Sequence, residues 1–169
     1  MTTIHVVTDS PLPVACVLEA ARDFSERRAE IWPAVSLEHM EVHELGDTSA
    51  DVTEGTKAGV GVNWERCRYD WSSPGSVTAE VTDSNVYALG SSWTITSIAV
   101  PEGSRVEMTW ARQFQHTIRG RLFGAVFRLG GRPIFRKYAG QIIDNLERLH
   151  GELVSRAPKE PSSTSWPAT

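Results

Sequence analysis

An α+β fold, one antiparallel sheet covered by one long helix, is what this sequence predicts, and three observations predict it. Six consecutive β-like segments between residues 35 and 116 are separated only by short turn signals, and connections that short join antiparallel neighbours. A helical period of apolar residues begins only after Thr117. A strand and two short helices come first, so the sheet has a single long amphipathic partner. An antiparallel sheet has to bury one face, and the last helix is the element able to cover it.

Each element has its own signal. Residues 3–9 (TIHVVTD) alternate enough for a strand. Ser10-Pro11-Leu12-Pro13 reads as a helix entry, with Ser10 as N-cap and prolines in the first turn. Val14, Val17, Leu18 and Ala21 follow at helical spacing. A second short helix is expected over 25–31, closed by Pro33, because the residue before a proline disfavours the α region. The six meander segments are 35–46, 50–57, 62–72, 76–83, 91–100 and 105–116. Gly46-Asp47, Gly59 with Gly61, Ser73-Pro74-Gly75, Asp83-Ser84-Asn85 and Pro101-Glu102-Gly103 are the turns between them. After Thr117, Ile118, Leu122, Val126 and Leu129 form one helical stripe, and Phe135, Tyr138, Ile142, Leu146 and Leu149 another. Gly130-Gly131-Arg132-Pro133 lies between them and is expected to kink or break the helix. The second half alone would span about 27 Å. The folded domain is expected to occupy residues 1–153, and the proline- and serine-rich end, 154–169, to be a disordered tail.

Composition narrows the function classes. A chain of 169 residues, 40% hydrophobic and 22% charged, fits one globular domain. Its 21 acids against 17 bases argue against a dedicated nucleic-acid binder. Cys16 and Cys67 cannot form a disulfide scaffold. The N-terminus lacks a signal-peptide layout, and no apolar run approaches the roughly 20 residues of a membrane-spanning helix. The expectation is a cytoplasmic chain with reduced thiols. Arginine outnumbers lysine 14 to 3, as in chains from GC-rich bacterial genomes.

A strongly twisted sheet curling around one helix need not close tightly on it. The gap becomes an apolar pocket, plugged at one end by the short helices, and such pockets hold small molecules. Trp32-Pro33, the hairpin WERCRYDW at 64–71, GSSWTI at 90–95 and SRVEMTW at 104–110 carry a family likeness. With this order of elements, residues 3–150 resemble the START-like helix-grip superfamily (SRPBCC), which includes the polyketide cyclase/dehydrase and lipid-transport group. The resemblance implies a helix-grip fold with an internal cavity for a small hydrophobic ligand. It implies no shared catalytic motif, no cofactor and no metal.

Strand parity selects the residues expected to line that cavity. Val106, Met108, Trp110, Arg112 and Phe114 share one face, as do Trp93, Ile95 and Ser97, and Val77, Ala79 and Val81. Trp32, Phe123, Phe127 and Tyr138 are added from the helices. The competing reading for each is ordinary core packing. In 64–71, Cys67, Tyr69 and Trp71 are placed inward, because burying two arginines beside one aspartate needs nearly perfect pairing. A one-residue slip would turn Arg66 and Arg68 inward instead, as anion-recognising groups. Arg112 either grips a ligand's oxygen, pairs with a nearby acid, or snorkels to the pocket mouth.

Catalytic signatures are few. His39-Met40-Glu41-Val42-His43 places two histidines roughly 13 Å apart on one strand face, too far to share a zinc ion. It reads as a polar outer face, with general acid/base work open only if that face lines the cavity. Gly59-Val60-Gly61-Val62-Asn63-Trp64 lacks the third glycine of a dinucleotide site. Cys16 is expected to face the core, and Cys67 has no evident histidine partner. Three functions compete. One is a carrier or sensor of a hydrophobic, lipid-like or polyketide-like molecule. Another is a cyclase or dehydratase using His39, Tyr69 and Arg112. The third is a protein-interaction module, for which only the basic helix speaks. From Met108 to Ile143 there is no acid but seven bases (Arg112, Arg119, Arg121, Arg128, Arg132, Arg136 and Lys137), interleaved with Phe123, Phe127, Phe135 and Tyr138. The stretch 112–137 either neutralises acids of the meander, touches an anionic membrane, or contacts RNA. Oligomeric state is not legible.

Overall fold

The computed structural model describes residues 1–57 and 61–156. The elements are β1 (Thr2–Ser10), α1 (Val14–Ala21), α2 (Arg28–Ile31), β2 (Ser36–Leu45), β3 (Ser49–Lys57), β4 (Val62–Asp70), β5 (Ser76–Ser84), β6 (Ser92–Val100), β7 (Gly103–Arg112) and α3 (Ile118–Arg156). The seven strands form one antiparallel sheet in the order β1-β7-β6-β5-β4-β3-β2. The expected meander is therefore present, and β1 closes back beside the last strand. Side chains alternate as the pleat requires. On β7, Ser104, Val106, Met108, Trp110 and Arg112 are all buried. Across the sheet Trp93 pairs with Trp110 and Ile95 with Met108, while Ile4 and Val6 oppose Trp110 and Met108 from the other side.

Local chemistry moves several boundaries. Ser10 ends β1 rather than capping α1: its Oγ donates to Glu147 on α3 at 3.1 Å and accepts the Leu12 N–H at 3.2 Å. Pro13 is the N-cap instead. α2 is three residues shorter than expected, because Ser25, Glu26 and Arg27 form the bend that precedes it. The last strand stops at Arg112, and Phe114 follows as an isolated bridge to Tyr87. Gly103 has φ +137° at the β6–β7 turn, and a Cβ there would collide with the Ser10 carbonyl.

α3 is one uninterrupted helix of 39 residues, about 58 Å long. It neither breaks at 130–133 nor ends at 153. The 154–156 part of the expected tail is helical, and 157–169 lies outside the described residues, as do Gly59 and Val60. Pro133 costs one backbone donor but does not end the helix. Gly131 has a packing reason: a Cβ there would stand 2.5 Å from Ile4 Cδ1 on β1. The C-terminal half of α3 buries Ala139, Ile142, Ile143, Leu146 and Leu149 in the same core as Val17, Ala21, Ile31 and the inner sheet face. No described helix is long and apolar enough to cross a membrane.

Candidate functional site

α3 packs along β1 and α2 but has no comparable packing with β3 or β4 among the described residues. The space left between them is a cavity of about 370 Å³. Its roof is the N-terminal half of α3: Phe123, Val126, Phe127, Gly131, Ile134, Phe135 and Tyr138. Its wall comes from Glu54 and Thr56 of β3, Asn63, Trp64 and Glu65 of β4, Trp93 of β6, and Trp110 and Arg112 of β7. Arg28, Trp32, Ala34, Val35, Tyr87 and Phe114 complete it. Val126 and Ile134 are also half exposed, which puts them at its rim.

Of the residues expected to line it, Trp32, Trp93, Trp110, Arg112, Phe114, Phe123, Phe127 and Tyr138 do so. Ile95 and Met108 are fully buried below it as sheet core and do not reach it. Tyr69 is inward, as expected, but lies one layer beneath the wall. Trp71 is not a cavity residue. Its indole N–H donates to the Asp47 carbonyl at 2.8 Å, in the β2–β3 turn, and its ring packs beside Phe24. Position 71 falls just past the end of β4, where strand parity no longer fixes direction. Cys67 is buried, and burial raises its thiol pKa well above the ordinary value. Arg66 and Arg68 face outward, and Arg66 makes a two-toothed pair with Asp51 at 2.7 and 2.9 Å. His39 and His43 lie outside the cavity, and His43 bonds Thr53 on the outer face. No cluster able to hold a metal ion occurs among the described residues.

The aromatic lining forms a continuous tilted stack. Trp110 meets Phe135 at 4.7 Å between ring centres, Phe135 meets Phe127 at 5.1 Å, and Phe127 meets Phe114 at 5.4 Å. Trp32 packs on Trp93 at 5.5 Å on the other side. Into this apolar shell α2 and the strands insert two ion pairs that the sequence did not disclose. Arg28 Nε donates to Glu54 Oε1 at 2.7 Å, Nη1 to the Ala21 carbonyl at 2.9 Å, and Nη2 to the Tyr69 hydroxyl at 3.1 Å. The Tyr69 hydroxyl in turn donates to Glu54 Oε2. The Arg28 guanidinium also lies over the rings of Trp32 and Phe24. Burial works against its charge, but Glu54 and the nearby Tyr69 and Tyr138 hydroxyls together outweigh it and hold the pKa above the ordinary value. Arg112 grips both oxygens of Glu65 through its terminal nitrogens, at 2.7 and 3.1 Å, and sits 4.3 Å from the centre of the Tyr87 ring. Burial raises the Tyr87 and Tyr138 hydroxyls above their ordinary pKa, so both are protonated donors at neutral pH.

Glu54 and Glu65 were missed although parity could have found them. Glu54 shares a face with Ala50 and Val52, and Glu65 with Cys67 and Tyr69. Arg28 gave only a weak signal, one turn before Trp32 in a charged segment.

A curved antiparallel sheet gripping one long helix around an aromatic cavity defines the helix-grip class of α+β proteins. Residues 1–151 match the family model described as polyketide cyclase/dehydrase and lipid transport, and the chain belongs to that family. Solved structures share the fold at low sequence identity. One is TTHA0849 from Thermus thermophilus, with a TM-score of 0.69 at 15% identity, covering 92% of this chain and 100% of that one. Another is the ZhuI aromatase/cyclase from Streptomyces sp. R1128, with a TM-score of 0.69 at 13% identity, covering 93% and 98%. A START superfamily protein from Mycobacterium smegmatis matches with a TM-score of 0.59 at 8% identity, covering 90% and 97%. No curated protein matches the sequence.

Proposed function

We propose that this protein is a carrier or sensor that binds one small hydrophobic molecule, lipid-like or polyketide-like, in the cavity under α3. The observation that carries the reading is an aromatic-walled cavity of about 370 Å³ between the sheet and the N-terminal half of α3. Ligand pockets of this kind begin at about 300 Å³. A guest burying about 300 Å² of apolar surface would gain roughly 7 kcal/mol before the costs of association. Two free thiols suit a reducing, cytoplasmic setting.

The test is native mass spectrometry of protein purified from its own source, followed by thermal unfolding with candidate apolar compounds. At a hundredfold excess over Kd a ligand adds about 2.7 kcal/mol, or about 5–10 °C in Tm for a domain of this size. The reading fails if no co-purifying molecule is found and no apolar compound or lipid extract shifts the transition.

A second reading, a cyclase or dehydratase, has support from the likeness to an aromatase/cyclase and to the di-domain ARO/CYC BexL. Among its three sequence candidates, only Arg112 faces the cavity. Conversion of a poly-β-ketone to an aromatic product, abolished in Arg112→Met, would favour this reading. Activity unchanged in that variant would remove it.

A further inference from the structure

We propose that the cavity selects an uncharged guest whose polar end is a ketone-like acceptor, and rejects the carboxylate of the same shape. This deepens, and rests on, the reading of the cavity as a ligand site. Two cations and two anions reach the wall, and Glu54 stands directly opposite Glu65 on β3 and β4. Each acid is matched by its own arginine, so the formal charges cancel. Both terminal nitrogens of Arg112 bond Glu65, so its charge is already answered and an incoming carboxylate would have to compete with Glu65 for it. Both oxygens of Glu54 are engaged as well, by Arg28 and Tyr69.

The uncommitted polar groups are mostly donors. Arg112 Nε–H is buried without a partner among the described residues, and Asn63 Oδ1 is the one buried acceptor in the same condition at the wall. Tyr87, Trp93 and Trp110 also line the cavity, and neither the Tyr87 hydroxyl nor the two indole N–H groups makes a hydrogen bond with described residues. A carboxylate would bring a third negative charge into this shell and lose its water without a free cation to meet it. A ketone needs only one donor.

The probe pair is 2-acetylnaphthalene and 2-naphthoate, nearly isosteric and different in charge. Their competition with an uncharged naphthylamine dye is measured at neutral pH on the full chain. The wild type is expected to bind the ketone about tenfold or more tighter, the factor that one uncompensated charge readily exceeds. Glu65→Gln frees the Arg112 cation and should raise naphthoate affinity by a similar factor, about tenfold. The paired Arg112→Met/Glu65→Met variant, which stays neutral, should show no such gain. A wild type that takes the dye but does not prefer the ketone overturns the selectivity and leaves ligand binding standing. A protein that takes none of the three probes overturns both.

A different surface carries a second inference independently. Ile118, Leu122 and Leu129 on α3 are 89%, 64% and 90% exposed. At 100° per residue they fall within about 40° of one another, a single outward stripe. Arg121, Arg128 and Arg132 flank it, and Arg136 and Lys137 continue the basic run; none of these five makes an ion pair among the described residues. Of the six meander acids that could have answered them, Glu38, Asp51 and Glu54 are paired with Lys57, Arg66 and Arg28, Glu41 lies beside His43, and neither Glu44 nor Asp47 makes an ion pair with these bases among the described residues. We infer that this face docks on an anionic lipid bilayer, with the cavity mouth at Val126 and Ile134 beside it. Apolar residues rimmed by arginine suit the headgroup boundary.

Co-sedimentation with phosphatidylcholine vesicles, with and without phosphatidylglycerol, tests it. Binding should require phosphatidylglycerol and fall with salt. Arg128→Glu/Arg132→Glu and Leu129→Glu should each weaken it about tenfold or more, with the helical circular dichroism unchanged. Absent binding, or equal binding to phosphatidylcholine alone, overturns the inference. So does a dimer in sedimentation velocity that Leu129→Glu dissociates, which would make the stripe a contact between two copies.

Discussion

Tyr69 holds the Arg28–Glu54 pair from both sides, accepting from one partner and donating to the other. Tyr69→Phe keeps the ring packing on Phe24 and Trp93 and removes only the hydroxyl. It should cost about 1–3 kcal/mol, because two buried polar groups each lose a partner; an unchanged urea midpoint would refute this. Breaking the ion pair itself should cost more. Arg28→Met leaves a carboxylate buried without its cation, about 3–5 kcal/mol. The double variant Arg28→Met/Glu54→Met should lose less than Arg28→Met alone, since it removes the stranded charge. Urea denaturation of the cycle measures the difference. Asp51, on the outer face, governs a different property. The hydrogen bond from Arg66 holds its carboxyl below the ordinary carboxylate pKa. A depressed folded-state pKa adds stability above the unfolded value near 3.9 and loses it as pH falls through the lower folded value. Asp51→Asn should therefore lower stability at neutral pH and flatten the acid limb below about pH 4, read by pH-resolved thermal melts.

Among the elements, β2 is the sheet edge most sensitive to one position. His39 crosses over Gly55 where the β2–β3 register shifts, and a Cβ on Gly55 would stand 2.5 Å from His39 Cβ and 3.2 Å from its carbonyl. Backbone and a Cβ cannot swing aside as a side-chain tip can. Gly55→Ala should detach the first half of β2. Hydrogen exchange should then quicken over 36–41, with β6 and β7 still protected. Gly131 in α3 makes the opposite case. Its close neighbour is the tip of Ile4, a flexible group, so Gly131→Ala should shift stability by no more than about 1 kcal/mol.

Across the full domain, α3 has two jobs on one axis. Its C-terminal half is anchored among α1, α2 and the sheet, while its N-terminal half roofs the cavity and bears the exposed stripe. Substitutions at the mouth should therefore separate binding from folding. Val126→Trp, at a half-exposed site, should slow dye uptake and weaken binding about tenfold while leaving Tm within a few degrees. An unaffected uptake rate would place the route to the cavity elsewhere.

The order of elements, the antiparallel meander, and the inner faces of β5, β6 and β7 were all legible in the bare sequence. Period and parity are local properties, and one buried face is enough to read them. Most of the aromatic lining was marked as well, because aromatic side chains on an inward parity have few other places to go. What the arginines do was settled by tertiary contact alone. Arg28 and Glu54 are 26 positions apart, Arg112 and Glu65 are 47 apart, and no local pattern pairs them. Tertiary contact also set Gly131 and Pro133 inside a continuous helix, since the gain from laying α3 on β1 outweighs the missing hydrogen bond. It separated Ile95, Met108 and Tyr69, packed beneath the wall, from Trp93 and Trp110 on it. Parity says which side of a sheet a residue faces, but depth below a cavity depends on where the covering helix lifts away.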